Sequence, residues 1–413
     1  EDAQGAKLPI QGLVDRITAW FVPAVLTVAV ATVAVWLIAG GTAVMGLALV
    51  AGVSVLIIAC PCAMGLATPT SIMVGIGRAA SLGILFRKGD AVQTLGQAQI
   101  VAVDKTGTLT QGRPEVTDLF LLNGWDRTNI LRLAAGAEAK SEHPIAHAIL
   151  RASDDVPPAE GFESITGQGI RATVEGQAVS VGNARLMAHD SVDIGALEAK
   201  AQDYATSGQT AFYVAVDGQP AAVIAISDPI KDRASETISH LTELGIETVM
   251  ISGDSQQTAQ AIAAKLGIAT VIAEASPETK VNAVKDLAAS KRTAFVGDGI
   301  NDAPALAAAD VGIAIGTGTD VAIETADVVL MSGDIEGVAR AIRLSRATMR
   351  NIKQNLGWAF GYNILLIPVA AGVLFPAAGI LLSPMLAAGA MALSSVAVVT
   401  NALRLRRFDT GKA

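Results

Sequence analysis

The chain has 413 residues, enough for two to four domains. Hydrophobic residues make up 51% of it and charged residues 16%, and the mean hydropathy is +0.48. This composition is too apolar for an ordinary soluble enzyme and indicates a membrane protein that carries a soluble insert. A net charge of −8 and an isoelectric point near 5.1 argue against nucleic acid as a partner, because no basic domain stands out.

The chain contains only two cysteines, Cys60 and Cys62, and both lie inside an apolar segment. We therefore do not expect a disulfide framework. The chain begins with glutamate and shows no signal peptide, so we expect a processed or truncated piece of a longer protein.

Four apolar spans are predicted in two pairs, and each is long enough to cross a hydrocarbon core about 30 Å thick. They run at about Ile17–Ile38, Val44–Gly75, Leu356–Leu374 and Ile380–Leu403. Lysines and arginines gather at the ends away from the two uncharged hairpin connections, which places those ends and the central insert in the cytoplasm. We expect a multi-pass protein of a bacterial plasma membrane, with transmembrane helix pairs in residues 1–80 and 349–413.

The insert alternates strands and helices. Strands are predicted at Ile100–Val103, Thr248–Ile251, Val271–Ala273, Thr293–Val296 and Val311–Ile315, with helices such as Ser255–Leu266 and Pro277–Ala289 between them. This rhythm predicts an α/β fold with a doubly wound parallel sheet, formed by residues 81–114 and 224–348. Between residues 115 and 223 the pattern changes to short strands, glycine turns and two or three helices. It indicates a separate α+β domain, inserted just after the first strand of the sheet.

The segment Asp104-Lys105-Thr106-Gly107-Thr108 directly follows the first of these strands. A carboxylate at the carboxyl end of a buried parallel strand lies where open α/β sheets bind their ligands. Backbone N–H groups of the following turn can point at an anion there. The arrangement suits an aspartate that attacks a phosphoryl group and becomes an aspartyl phosphate. The alternative is a strand followed by an ordinary polar turn.

Two further strand ends carry polar side chains. Asp298 and Asp302 follow the strand Thr293–Val296 and are candidate Mg²⁺ ligands beside Asp104, because this small hard cation prefers carboxylate and phosphate oxygens. Ser252-Gly253-Asp254 ends another strand. The Ser252 hydroxyl is a candidate donor to phosphoryl oxygens, and Lys280, at the start of a helix, is a candidate for neutralising them. Lys280 taken alone is more typical of a solvated surface lysine, and Asp228-Pro229 is either a plain turn or a hinge.

The inserted domain carries two weak signals for a nucleotide site. Ser141-Glu142-His143-Pro144 precedes a helical stretch, and Gly167-Gln168-Gly169 is a glycine-rich turn. The chain has no GxxxxGK[ST] sequence, so any ATP site differs from a P-loop. A purine packed between the glycine turn and His143, with Glu138 nearby, is the arrangement we expect, although His143 is also an ordinary residue for the start of a helix.

Candidate transition-metal ligands lie in three of the apolar spans. Cys60-Pro61-Cys62 places two thiols around a proline kink, and soft thiolates favour Cu⁺ and also suit Zn²⁺. Met391, with Ser394 and Ser395 on the same helix face, and the pair Tyr362-Asn363 are polar or soft groups in otherwise apolar helices, where such groups are costly. The alternatives are an inert buried cysteine pair, a core-filling methionine and side chains that hold helices together.

The metal is predicted from charge. No charged residue lies between Trp358 and Ala402, so no carboxylate is available there to balance a divalent ion held by two thiolates. A monovalent soft ion needs no such partner, which favours Cu⁺, with Ag⁺ as a surrogate. Asp15, just before the first span, either receives the ion at the cytoplasmic mouth or is an ordinary acidic residue of a helix N-terminus.

The motifs DKTGT, SEHP, GxG and GDGIND, together with CPC, Tyr-Asn and Met-x-x-Ser-Ser, resemble those of the copper(I)-transporting heavy-metal P-type ATPases, in the family's order and across nearly the whole chain. The resemblance implies a haloacid-dehalogenase-like phosphorylation domain, an inserted nucleotide-binding domain and a helical transmembrane bundle. It also implies ATP and Mg²⁺ as cofactors and a set of site residues. These are a catalytic group of Asp104, Lys105, Thr106, Ser252, Gly253, Asp254 and Lys280; Mg²⁺ ligands Asp104, Thr106, Asp298 and Asp302; nucleotide-site residues Glu138, His143, Gly167 and Gly169; copper ligands Cys60, Cys62, Tyr362, Asn363, Met391 and Ser395; and Asp15 where the ion enters.

The chain departs from the family pattern in two ways. Ser252 replaces the usual threonine, which preserves the hydroxyl, and there is no TGE sequence, whose glutamate positions water for dephosphorylation in the family. We therefore expect this chain alone to lack full turnover. The expected partners are ATP, the lipid bilayer and Cu⁺ delivered by a copper chaperone or thiol carrier, with no nucleic acid.

Three other functions compete with Cu⁺ export. One is a Zn²⁺ or Cd²⁺ pump of the same architecture. Another is a membrane-anchored phosphatase, although such hydrolases usually carry an acid where Thr106 stands. The last is a membrane copper sensor that does not pump, against which the intact phosphorylation motifs speak.

Overall fold

The computed structural model describes residues 9–60, 62–122, 124–141, 143–298, 302–316 and 320–408. The chain divides into two compact units. A helical unit takes residues 1–98, 327–331 and 337–413, and an α/β unit takes residues 99–326 and 332–336.

The α-helices of the described residues are, in chain order, α1 (Pro9–Gly40), α2 (Met45–Ile58), α3 (Cys62–Ser81), α4 (Gly89–Gly96), α5 (Arg127–Glu138), α6 (Pro144–Ala152), α7 (Ala184–His189), α8 (Gly195–Thr206), α9 (Ala234–Glu243), α10 (Gln256–Leu266), α11 (Pro277–Ser290), α12 (Ala303–Ala308), α13 (Asp320–Thr325), α14 (Glu336–Ala370), α15 (Phe375–Ala378) and α16 (Pro384–Leu403). The strands are β1 (Ile84–Phe86), β2 (Ile100–Asp104), β3 (Glu115–Leu121), β4 (Ala159–Ile165), β5 (Gly169–Val174), β6 (Gln177–Gly182), β7 (Thr210–Val216), β8 (Gln219–Ser227), β9 (Glu247–Ile251), β10 (Thr270–Ile272), β11 (Thr293–Gly297), β12 (Val311–Ile315) and β13 (Val328–Leu330). Short 3₁₀ turns lie at Gly41–Val44 and Arg404–Arg407.

The first sheet of the α/β unit is parallel, with the order β12-β11-β2-β9-β10. Strands β2, β11 and β12 are buried along their whole length, as expected for a parallel sheet covered on both faces. Helices α11, α12 and α13 pack on it through a core that includes Phe295, Val284 and Leu306. The predicted doubly wound sheet is confirmed, with strand ends that differ by one residue at most.

A second, antiparallel sheet of the same unit has the order β3-β8-β7-β6-β5-β4. One face packs on α5 and α6 through a core around Ile130 and Ile149, and the other on α7 and α8 around Leu186 and Leu197. This is the α+β fold expected after the first strand. The predicted boundary at residue 223 lies within β8, because this strand continues to Ser227 before the chain returns to the parallel sheet.

The helical unit contains all four predicted spans. The first lies in α1, and the second is divided between α2, which ends at Ile58, and α3, which begins at Cys62, with Pro61 outside the described residues. Most of the third lies in α14, which is one continuous helix across the predicted boundary at residue 348 and ends at Ala370, and most of the fourth lies in α16, which begins at Pro384. In this unit β1 pairs with β13 as a short antiparallel ribbon.

Two stretches of the described residues are long and apolar enough to cross a membrane, judged by length and composition alone. They are Pro9–Ser81, within which Pro61 lies outside the described residues, and Pro384–Arg407. The predicted span Leu356–Leu374 does not meet that criterion, because α14 ends at Ala370 and a helical window long enough to cross a membrane must reach back over Lys353, Gln354 and Asn355. The number of spans therefore stays a prediction.

Candidate functional site

Three carboxylates meet at the carboxyl edge of the parallel sheet. Asp104 ends β2, Asp298 directly follows β11, and Asp302 precedes α12. Strands β2 and β11 are parallel neighbours with Val103 opposite Val296, so their ends bring the acids together. One oxygen from each of the three lies within 4.8 Å of the other two. Residues 299–301 of the same motif lie outside the described residues.

Lys280 joins two of these acids. Its Nζ donates to Asp104 Oδ1 at 2.7 Å and to Asp302 Oδ1 at 2.6 Å, and the side chain is buried. Burial lowers the pKa of Lys280, but the two carboxylates outweigh burial and raise it overall. The lysine therefore stays charged and partly neutralises the three carboxylates. Its position at the start of a helix was only a weak sign of this role in the sequence.

The acids themselves are held in a costly environment. Burial, together with repulsion from Asp302, raises the pKa of Asp104 to about 7, although Lys280 acts in the opposite direction. The same two causes raise the pKa of Asp298 to about 6. Like charges removed from water favour the protonated form. The cluster is therefore short of positive charge, and its oxygens suit a hard cation such as Mg²⁺.

A second ion pair lies beside the first. Lys105 Nζ donates to Asp254 Oδ2 at 2.6 Å, and the Asp254 backbone N–H donates to Ser252 Oγ at 3.1 Å. Ser252 is 1% exposed and its backbone N–H donates to Ile272 O, which fixes the end of β9 against β10. The predicted residues Lys105, Ser252, Gly253 and Asp254 are thus at the same edge of the sheet as Asp104.

The turn after Asp104 requires glycine. Gly107 has φ +72°, and a Cβ built on it would lie 1.7 Å from Asp298 Oδ2. Because glycine has no Cβ, Asp298 can approach the turn at this position. Thr106, at φ −75° and ψ 128°, is exposed in this turn, close to where a phosphoryl group would meet Asp104.

Two residues of this site were not assigned from the sequence: Lys231 was missed, and Asp228 was left as part of either a turn or a hinge. Lys231 donates from Nζ to Gly107 O at 2.6 Å, and burial lowers its pKa while Asp298 and Asp228 act against this. The Asp228 carboxylate accepts from Thr110 Oγ1 at 2.5 Å and from the N–H groups of Gly112 and Arg113. Asp228 therefore ties together the two chain segments that connect the sheets. The sequence offered one sign of both residues: an acid directly after strand β8, followed three residues later by a lysine.

A cavity of about 490 Å³ in the α/β unit opens onto Asp104. Its lining includes Lys105, Lys280 and Asp302 from the parallel sheet and His143 and Thr210 from the inserted domain. His143 caps α6, because its Nδ1 accepts the Ile145 N–H at 3.3 Å, and burial lowers its pKa. The ring is therefore neutral at pH 7 and faces a space that also contains the candidate nucleophile.

The other predicted nucleotide residues do not line this cavity. Glu138 is 6% exposed, its Oε2 has no hydrogen-bond partner among the described residues, and burial raises its pKa. Gly167 has φ +71°, and Gly169 packs so tightly that a Cβ would lie 2.3 Å from Val181 O. The glycine turn is thus a tight strand connection, and its role at a nucleotide stays a prediction.

The two cysteines differ from expectation. Cys60 and Cys62 are joined by a disulfide, with Cα atoms 5.5 Å apart. The expectation of two free thiols is therefore wrong for this structure. The interruption between α2 and α3 brings the two Cα atoms to a spacing typical of disulfides, and the same convergence brings two thiolates to one ion after reduction.

The remaining metal candidates lie on α14 and α16. Asn363 is 2% exposed and its Oδ1 has no hydrogen-bond partner among the described residues, while Tyr362 beside it is half-buried. Met391 is buried, and Ser395 Oγ donates to Met391 O at 3.2 Å. Asp15 is exposed and lies inside α1, which begins earlier than predicted, at Pro9.

The candidates on α14 and α16 and the cysteine pair lie along one line of contact between α3, α14 and α16, which we call the seam; Asp15 of α1 is not part of it. Ala63, Met64 and Ala67 of α3 pack with Ala359 of α14 and Val398 of α16. Cys62 directly precedes this layer, Asn363 follows it by one turn of α14, and Ser394 precedes it by one turn of α16. The structure thus brings the three helices together, and the metal ligation itself stays a prediction.

Comparison with known proteins agrees with these features. The profile of the haloacid dehalogenase-like hydrolases matches residues 98–310. The chain is 58% identical over 411 residues to Copper-transporting ATPase 1 of Rhizobium meliloti (strain 1021), covering 98% of this chain and 50% of that protein. It is 48% identical over 416 residues to the silver exporting P-type ATPase of Salmonella typhimurium, covering 100% of this chain and 50% of that protein. A solved structure of a zinc-transporting PIB-type ATPase in the E2.Pi state has 36% identity and a TM-score of 0.81, covering 98% of this chain and 66% of that one. The chain spans about half the length of the curated relatives it matches.

Proposed function

Because this chain belongs to the haloacid dehalogenase-like hydrolase family and is homologous along 98% of its length to copper-transporting P-type ATPases, we propose that it is the phosphorylation and ion-binding part of an ATP-driven Cu⁺ exporter. The observation that carries this proposal is the contact of buried Asp104 with Lys280, beside Asp298 and Asp302. A nucleophile, a counter-charge and two further acids meet there at one strand edge.

Asp104 is the phosphate acceptor. One of its carboxylate oxygens attacks the γ-phosphorus of ATP, the bond from that phosphorus to the β–γ bridging oxygen breaks, and ADP leaves. Lys280 favours the ionised form of the Asp104 carboxylate, against the effects of burial and of Asp302, and stabilises negative charge on the transferring group. Lys105 is paired with Asp254 at 2.6 Å, so the site contains a second positive charge beside Lys280.

Asp104, Asp298 and Asp302 are the residues that would hold Mg²⁺, because their oxygens converge and the raised pKa values of Asp104 and Asp298 reflect uncompensated negative charge. When bound, the ion supplies positive charge to the phosphoryl oxygens. Gly107 leaves room for Asp298, and Lys231 holds the Gly107 carbonyl, so the turn keeps its shape during the reaction.

ATP enters the cavity from the side of the inserted domain. His143, neutral at pH 7, offers a flat face for the purine, while Asp104 faces the phosphate end of the same space. Glu138, Gly167 and Gly169 are assigned to the nucleotide site on resemblance, as residues that reach it when the inserted domain closes on ATP.

The transported ion is Cu⁺, with Ag⁺ as an alternative cargo. Cys60 and Cys62 as thiolates, the Met391 thioether, and the oxygens of Tyr362, Asn363 and Ser395 form the binding set, and Asp15 receives the ion. The unpartnered Asn363 Oδ1 supports this assignment, because a buried amide oxygen without a donor is costly unless a ligand uses it. The helical unit lies in a membrane as four spans, with the α/β unit in the cytoplasm, and a copper chaperone or thiol carrier delivers the ion.

A Zn²⁺ or Cd²⁺ pump is the second candidate, since a solved zinc transporter has the same architecture. The ligands proposed on α14 and α16 include no carboxylate, and the buried Met391 thioether is a soft ligand, which favours Cu⁺.

The test is metal-dependent phosphorylation of the full-length protein by γ-labelled ATP under reducing conditions, with Cu⁺, Ag⁺, Zn²⁺ and Cd²⁺ compared. We expect an acid-stable, hydroxylamine-labile label that Cu⁺ and Ag⁺ stimulate and that the divalent ions do not. Stimulation by Zn²⁺ alone would assign the protein to the second candidate, and a label independent of every metal would exclude transport coupled to these ions.

A further inference from the structure

Three helices of the helical unit share a buried polar cluster that the proposed function does not use. We call it the amide clasp: Ser71 of α3, Asn351 and Asn355 of α14, and Asn401 of α16. Ser71 and Asn355 are 0% exposed and Asn351 is 6% exposed. Buried amides in an otherwise apolar helix bundle cost free energy unless every polar atom finds a partner.

The hydrogen bonds of the clasp run between helices. Asn355 Nδ2 donates to Ser71 Oγ at 3.1 Å, and Ser71 Oγ donates to Asn351 Oδ1 at 2.9 Å. These bonds join α14 to α3. Ser71 also lies 2.7 Å from Ala67 O, so its single hydroxyl proton is shared between two acceptors.

A second set joins α14 to α16. Asn351 Nδ2 donates to the Asn401 backbone carbonyl at 2.9 Å, and Asn401 Nδ2 donates to Asn355 Oδ1 at 2.9 Å. Asn401 Oδ1 in turn accepts from Arg404 Nη1 at 3.1 Å. Each amide oxygen of the clasp is therefore already paired, which argues against an ion site and for a mechanical role.

The clasp lies on the same seam as the proposed metal ligands. Asn355 precedes Asn363 by eight residues of α14, about 12 Å along the helix axis. The apolar layer of Ala63, Ala359 and Val398 lies between the two levels. On the other side, α14 continues without interruption back to Glu336, where the chain leaves the α/β unit.

We propose that the amide clasp positions the metal ligands by locking α14 in register with α3 and α16, an inference that rests on the proposed Cu⁺ transport. Ser71, Asn351, Asn355 and Asn401 are positioning residues and do not touch the ion. A slide of α14 by one residue moves its side chains by about 1.5 Å along the axis. Such a slide breaks both sets of bonds at once and displaces Asn363 relative to the cysteines and Met391.

Helices α3 and α14 also touch beside the clasp, where Ile72 packs against Met349 and Ile352. A Cβ added to Gly75 of α3 would lie 2.6 Å from Thr348 Oγ1 of α14, which shows how closely the two helices approach. Apolar packing favours this approach, and the directional bonds between the amides add a requirement for one specific register. Neutral bonds also hold this register without placing charge in the membrane.

The first experiment measures the Cu⁺ concentration that gives half-maximal phosphorylation in the full-length protein. In Asn355→Leu we expect it to rise by about tenfold, because bonds to both neighbouring helices are lost. Ser71→Ala, which removes only the bonds to α3, should give a smaller rise. The KM for ATP should stay unchanged in both, since the α/β unit keeps its own site.

Thr348→Val is the matched control. Thr348 is 0% exposed on the same helix, and its hydroxyl donates only to Leu344 O within that helix. If the clasp merely adds stability, Thr348→Val and Asn355→Leu will lower the unfolding temperature alike and leave the half-saturating Cu⁺ concentration unchanged. That result would overturn the positioning role.

The second experiment reads the register without copper. In a background with Cys60→Ser and Cys62→Ser, Gly75→Cys and Thr348→Cys place two Cβ atoms about 3.3 Å apart, close to disulfide spacing. We expect rapid oxidative cross-linking, slowed by Asn355→Leu but not by Thr32→Val, whose hydroxyl bonds within α1 alone. Equal cross-linking rates in all variants would reject the register lock. If wild type shows no metal-dependent phosphorylation but Asn355→Leu still slows the cross-link, the transport proposal fails while the register lock stands.

Discussion

The carboxylate site of the α/β unit and the metal seam of the helical unit are held by different forces. In the first, Lys280 pairs with Asp104 and Asp302, and burial strengthens these charged contacts. In the second, no charged residue lies between Trp358 and Ala402, and packing and neutral hydrogen bonds join the helices there. A charged site assembles around its own counter-ion, whereas a neutral site depends on helix register.

Removing the nucleophile should have the largest effect. In Asp104→Asn the phosphoenzyme should fall by about 10³-fold or more, because the amide cannot accept the phosphoryl group. Acid-stable label from γ-labelled ATP measures this. Asp203→Asn, an exposed aspartate of α8, is the control and should label as wild type does. A label retained in Asp104→Asn would show that the nucleophile is another residue and that the carboxylate site is not the site of phosphorylation.

Gly107→Ala should disable the carboxylate cluster sterically. The new Cβ would meet Asp298 Oδ2 at 1.7 Å, so Asp298 must move and Mg²⁺ affinity should fall by about 10²-fold. Gly176→Ala is a matched control, since Gly176 has φ +80° with open space around it and bears only the left-handed backbone cost, about 1–2 kcal/mol. Titration of Mg²⁺ and denaturant unfolding separate the two effects. Unchanged Mg²⁺ affinity in Gly107→Ala would show that Asp298 is not a ligand.

Met391→Leu tests the proposed metal site of the helical unit. Loss of the buried thioether should raise the half-saturating Cu⁺ concentration for phosphorylation by about tenfold, with the KM for ATP unchanged. The protein must be reduced, since the Cys60–Cys62 disulfide leaves no thiolate for the ion. Met385→Leu on the same helix, at a methionine that is 81% exposed, should behave as wild type. Equal effects in both variants would remove Met391 from the ligand set.

His143→Ala should raise the KM for ATP by about tenfold through loss of base stacking, which is worth about 1–3 kcal/mol. The same change also removes the α6 cap. His143→Asn keeps a capping acceptor without the ring, so it should recover stability and retain the raised KM. A normal KM in His143→Asn would mean that the histidine is only a cap.

The smallest expected effect is a pH dependence of Mg²⁺ stabilisation. Burial and repulsion from Asp302 raise the pKa of Asp104 to about 7 and that of Asp298 to about 6. The folded state then binds protons more tightly than the unfolded chain, and this contribution to stability is lost as the pH rises from about 4 to about 7. Mg²⁺ replaces those protons, so it should raise the unfolding temperature by a few degrees at pH 8 and much less at pH 5. The same Mg²⁺ effect at both pH values would contradict uncompensated charge in the cluster, and Asp298→Asn should reduce the difference.

Local patterns in the sequence predicted much of the α/β unit. The apolar runs before Asp104 and Asp298 predicted buried parallel strands, and parallel strands bring their carboxyl ends to one edge, so the acid cluster followed. Lys231 was missed because a lysine after a turn is typical of a solvated surface. Its contact with Gly107 joins residues 124 positions apart, which no local pattern reports.

The helical unit was less predictable in detail. Hydropathy indicated the spans, and proline indicated the break between α2 and α3. The disulfide was not expected, since two cysteines around a proline are equally compatible with a free pair. The amide clasp could not be predicted from the sequence either. Its three asparagines, Asn351, Asn355 and Asn401, differ from ordinary helix-end asparagines only in the residues to which they bond.

Hydrophobic periodicity and strand-end motifs are local properties of the chain, so they were enough to predict the kinds of element and the chemistry at their ends. Tertiary structure alone decided which groups meet: Lys280 with Asp104, Asp228 with Thr110, and Ser71 with two asparagines of α14. The physical reason is that burial and pairing set the free energy of a polar side chain, and both depend on residues far away in the chain.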